Sequence, residues 1–229
     1  LSVKLMNLSI SHGLCCQTIS ACCEYIVIVA VFFEDYETAF RLWEVTEEIM
    51  QRLNAPYYKS QIYNKVANYL LPMIKHLRES EPVNMTGYNA GCVSGEHLCS
   101  GYSIAHKVVN SFHYGRGLKE IRNDIIEHLP FCVQTNNDVA SKVMILLSGI
   151  AGYLSEISPD AAEPGRRVLT EGEKTALERI QGNDVLFSQA MIFDLQAFFI
   201  MGEYDRCLEI IDRIKDRVQA LKGLFTSTE

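Results

Sequence analysis

Glu34-Asp35-Tyr36-Glu37-Thr38-Ala39 and Gly202-Glu203-Tyr204-Asp205-Arg206-Cys207 carry one pattern, an acidic residue, a tyrosine and then a small residue three places on. The apolar residues beyond each keep step with it: Phe40, Trp43, Thr46, Met50 and Leu53 after the first, Leu208, Ile211, Ile214, Val218 and Leu221 after the second. Every member of the second set lies at one common interval from its counterpart. Apolar residues at three- and four-residue steps fall on one helical face, and a small residue at the start of that face lets the helix nestle against the one before it. Each stretch therefore reads as the turn and second helix of an antiparallel hairpin. The common interval is close to five of the roughly 34-residue periods known for helical hairpin repeats, so the two copies read as members of one array.

Working outward, helical periodicity continues along the chain. A helix is expected over Val3–Ile10 with a stop near Gly13, a second over Gln17–Phe33 and a third over Tyr36–Leu53. Tyr25 to Phe33 is rich in β-branched residues, but its place before the Tyr36 turn decides for helix. Asn54-Ala55-Pro56 combines a stop with a first-turn proline and opens a helix to His76, bent or broken near Pro72. Glu81-Pro82 is expected to separate it from a shorter helix, and Gly91 and Gly95 to bracket a joint. Leu98, Gly101, Ala105, Val108 and Phe112 mark the packed face of the next helix, ended by Gly115-Arg116-Gly117. Leu118, Ile121, Ile125, Ile126 and Leu129 form another stripe, and Asn136, Asn137 and Asp138 offer caps for a helix through Leu154. Residues 155–169 hold Pro159, Pro164 and Gly165 and read as a loop insertion within the array. Thr170 and Glu173 form a capping box for a helix to Gln181, and Val185–Ile200 with Tyr204–Lys222 makes the last hairpin.

The 229 residues are 48% hydrophobic, with 21 basic and 28 acidic side chains and a net charge of −7. That composition excludes a disordered chain, and the acidic excess without a basic cluster argues against nucleic acid as a partner. The longest apolar run, Tyr25 to Phe33, falls well short of the roughly 20 residues that span a bilayer, so no membrane insertion is expected. The stretch after Leu1 holds Lys4, Asn7, Ser9 and His12, unlike the apolar core of a secretion signal. One continuous helical-repeat domain over 1–229 is expected, as a fragment of a larger protein, because both ends fall in mid-pattern.

The eight cysteines are not spaced as in a small disulfide scaffold, and reduced, mostly buried thiols in a cytoplasmic chain are the expectation. Cys15 and Cys22, like Cys16 and Cys23, are seven apart and share a helical stripe, where cysteine packs as a small hydrophobe. His12 beside that cluster, or His97 between Cys92 and Cys99, could be recruited to a metal. Neither spacing resembles paired zinc knuckles, and no metal or cofactor is expected.

The Asp35-Tyr36 turn with Ala39, the Gly91 to Glu96 joint leading into Tyr102, the Gly115-Arg116-Gly117-Leu118 turn and Gly202-Glu203-Tyr204 together resemble a known family. It is the tetratricopeptide-like helical-repeat region of large multi-domain signalling ATPases, in which an AAA-type ATPase is linked to kinase, sensor histidine kinase or nucleotide cyclase domains. Glu34 stands at the family's glycine position in the first copy, and Cys207 at its alanine position in the second. The resemblance implies an all-α superhelical array of antiparallel hairpins, a solenoid. It further implies a non-catalytic scaffold or regulatory module that contacts proteins or adjacent domains of the same polypeptide in signal transduction.

The residues agree with a non-enzymatic reading. No glycine loop followed by lysine and a hydroxyl residue is present to cradle phosphates, and no pair of histidines has the helical spacing of a zinc hydrolase. One face stands out. Tyr102, His106, Asn110 and His113 step by four, four and three along one helix, and such a polar-aromatic strip could hold a partner on the concave side of a repeat array. Internal hydrogen bonding of the same side chains would look identical in sequence. The alternative from another class is a self-contained helical enzyme or small-ligand receptor using the cysteines and histidines of the first two-thirds.

Overall fold

The computed structural model describes residues 1–156 and 184–217, and among them every regular element is helical. The helices are α1 (Ser2–His12), α2 (Cys16–Phe32), α3 (Tyr36–Arg52), α4 (Lys59–Lys65), α5 (Leu71–Ile74), α6 (Ser80–Ser94), α7 (His97–His113), α8 (Leu118–Gln134), α9 (Asp138–Glu156), α10 (Asp184–Ile200) and α11 (Tyr204–Ile214). Packing groups the described residues into two compact units, Leu1–Asn110 and 111–217. Residues 157–169 of the expected insertion, the helix expected over 170–181 and the end of the last helix beyond 217 lie outside the described residues. Ser155 and Glu156, read as loop, belong to α9.

In the first unit, α2 is apolar on nearly all sides and has neighbours to match, packing against α1, α3 and α4. Its Ile19, Cys23, Ile26, Val29 and Ala30 form one buried cluster with Ala39, Ile49 and Met50 of α3 and with Ile62, Val66 and Leu70. Ser9 of α1 and Thr18 of α2 meet through their hydroxyls at 2.7 Å. The helix expected from Pro56 to His76 is irregular before Pro72, where residues Val66–Leu70 form a π-turn between α4 and α5, and it ends at Ile74 rather than His76. Proline offers no N–H to the carbonyl one turn earlier and its ring crowds that carbonyl, so the preceding turn widens, and Leu71 N–H reaches back to Val66 instead.

Three expectations need correction here. Glu81-Pro82 does not separate helices; Pro82 sits in the first turn of α6, where a missing N–H costs nothing because that donor has no intrahelical partner. Gly91 lies inside α6, and only Gly95, with φ +80°, ends it. A Cβ on Gly91 would collide with the Ser100 hydroxyl and lie 2.6 Å from the Glu96 carbonyl oxygen and 2.7 Å from Ser60 Oγ, so this glycine permits a close approach of helices. Leu98 and Ile126, placed on packed faces, are exposed: Leu98 sits in the first turn of α7 and Ile126 turns away from its neighbour Ile125, which is buried.

In the second unit, α8 packs on α9, α9 on α10, and α10 on α11. Asn137 Oδ1 caps α9 by accepting from the Ala140 N–H at 3.2 Å. Over Asp138–Ser155 the mean hydropathy is 1.2, long and apolar enough to cross a membrane by length and composition. Its Met144, Leu147, Ile150 and Ala151 are buried, and 44% of that window is buried in all.

The two copies of the turn share a left-handed residue and a buried small residue but differ in bonding, the N–H after the left-handed residue returning six residues in the first copy and five in the second. Glu34 has φ +54° and Gly202 φ +74°, so both occupy the left-handed position that ends the first helix of the hairpin. Asp35 N–H returns to the Val29 carbonyl at 3.2 Å, and Glu203 N–H to that of Phe198 at 2.9 Å. Ala39 is fully buried and Cys207 is 6% exposed, its Sγ 3.7 Å from the Leu195 carbonyl oxygen of the preceding helix. The small residue thus meets the first helix in both places. Ala39→Leu should overpack this junction and cost about 1–3 kcal/mol in urea unfolding. Glu34→Gly should leave stability unchanged or raise it by up to about 1 kcal/mol, because glycine adopts the left-handed conformation without steric penalty; a clear loss would show that the Glu34 side chain matters more than its backbone.

Candidate functional site

Helix α7 carries the strip read from the sequence, and its members have different surroundings. In the first unit Tyr102 is half-buried, His106 mostly buried and Asn110 buried. Asn110 Nδ2 donates to Asn68 Oδ1 at 3.1 Å and to Ser80 Oγ at 2.9 Å. His113 belongs to the second unit, where its ring lies near Phe112 and Phe193 and its Nδ1 is 3.0 Å from Gln196 Nε2. At Asn110 and His113, then, internal hydrogen bonds are present; Tyr102 and His106 are both partly accessible in the first unit.

Asn110 leads to a buried amide cluster that the sequence reading did not single out. Asn68 of the π-turn and Asn84 of α6 exchange side-chain bonds, Asn68 Nδ2 to Asn84 Oδ1 at 3.0 Å and Asn84 Nδ2 to Asn68 Oδ1 at 3.1 Å. Asn68 Nδ2 also donates to the Asn64 carbonyl at 2.7 Å, and the Ser80 hydroxyl to that of Leu77 at 2.7 Å. Three amides from three separate segments therefore satisfy one another away from water, and such a network fixes register because each member loses partners if one helix slides. Beside it Lys107 Nζ, nearly buried, is 4.0 Å from Glu81 Oε1. The available signal was Asn64 and Asn68, four apart within the 62–71 stretch, whose other residues except Lys65 are apolar or aromatic, and Asn84 at mid-helix, where asparagine is a poor helix former.

Electrostatics at these groups follow from burial. Desolvation disfavours the charged imidazole and pushes His106 and His113 down to about 4, so both rings are neutral at pH 7. Burial likewise pushes the Cys99 thiol up to about 12 and Cys132 to about 11, and raises Cys22 and Cys23. Thiols held so high stay protonated and are poor nucleophiles. All eight cysteines are free, but the expectation that most are buried holds for only half: Cys22, Cys23, Cys132 and Cys207 are buried, Cys16 and Cys99 partly so, and Cys15 and Cys92 are exposed. Cys15 sits at the α2 N-terminus, and bonds from the Thr18 side chain and backbone lower its pKa. Among the described residues no three His, Cys, Asp or Glu side chains gather as a metal site would require.

In comparisons with protein-family models, with curated proteins and with solved structures, none matches this chain.

Asn68→Leu should cost about 1–3 kcal/mol, because it strands the Asn84 and Asn110 amides without water; an unchanged urea midpoint would mean that those groups are solvated. The histidines set a pH dependence. Their folded pKa lies below the ordinary 6.5, so the unfolded chain binds protons first and stability, complete above about pH 6.5, falls as pH drops towards about 4. Thermal midpoints from pH 7 to 4.5 should show this slope, and His106→Gln should flatten it. A thiol-reactive dye should label Cys15 and Cys92 fast and Cys22, Cys23, Cys132 and Cys207 only on unfolding, as read by peptide mapping.

Proposed function

We propose that the chain is a non-catalytic helical-repeat scaffold or regulatory module, built like a tetratricopeptide solenoid, that mediates protein–protein or interdomain contacts in a cytoplasmic signal-transduction ATPase or kinase. The observation that supports this reading is the repeated hairpin turn. Two segments far apart in sequence share a left-handed residue ending one helix, a buried small residue against that helix and a matched apolar face. Stacked hairpins of this kind offer extended surfaces, and their function is adhesion and relay between neighbours. The buried, protonated thiols and neutral imidazoles fit packing better than nucleophilic chemistry.

Within this reading Tyr102, partly accessible like His106 and His113, is the best anchor for a partner, since binding energy concentrates at a few aromatic side chains. The purified chain should neither bind nor hydrolyse ATP, measured by calorimetry and phosphate release, while adjacent domains of its parent polypeptide bind it. Tyr102→Ala should weaken that binding about tenfold or more, roughly 1.4 kcal/mol, with Tyr102→Phe retaining most of it. Nucleotide turnover abolished by one Cys or His substitution would overturn the scaffold reading.

A further inference from the structure

We draw no further inference here: the strongest candidate, the exposed apolar patch of Phe199, Tyr204, Leu208 and Ile211 on the last hairpin, carries none, because acidic and basic side chains balance along residues 204–217 and nothing in the structure shows what covers it.

Discussion

Close contact between consecutive helices is the constraint that governs this fold. A turn as short as Phe33-Glu34-Asp35 leaves α3 no choice but to lie against α2, and the distance between them is set by the side chain that first faces back. Ala39 occupies that position without protruding, and Cys207 does so in the last hairpin. With the junction closed, Ile49 and Met50 further along α3 reach the cluster formed by Ile26 and Val29 of α2. Removing apolar surface from water is then the dominant stabilising term, and the small residue decides whether that surface can be removed.

The same closeness creates a cost that the first unit answers with polar side chains. Where Gly87 and Gly91 bring α6 near Ser60, Ser100 and Ser103, there is no room for larger apolar groups, and the interface is built from glycine and serine. The adjoining Asn68, Asn84 and Asn110 would be expensive to bury singly; together they replace water for one another. An apolar core tolerates sliding between similar contacts, whereas reciprocal amides do not, so this cluster selects one alignment of the π-turn, α6 and α7.

The parts legible in the sequence were those governed by short-range periodicity. The Tyr36 and Tyr204 turns, the stops at Gly13 and Gly95 and the cap before Asp138 all rest on neighbours a few positions away. Glu34 was harder, since glutamate gives no local hint of a left-handed backbone and the neighbouring helices impose it. Pro82 misled because proline breaks a helix only in its interior, and whether a position is interior depends on where the preceding turn begins. The amide cluster was not legible because Asn68, Asn84 and Asn110 meet only in space, and a strip that steps by four, four and three along α7 carried no information on which members face inward. The division of the chain within α7 has no local signature either, as that helix is continuous from His97 to His113.

The π-turn at Val66–Leu70 bears on how this chain can change in length. A π-turn is an α-helix carrying one surplus residue, and each residue of an α-helix advances the side-chain direction by about 100°. A sequence one residue shorter here could run on as a regular helix, but everything beyond would swing round its axis. Leu71, now buried, would leave its neighbours, and the asparagine pair would lose its alignment. Deletions that most surface turns absorb are therefore barred at this one helical segment, and Pro72 holds the surplus residue in place by denying the regular helix its hydrogen bond.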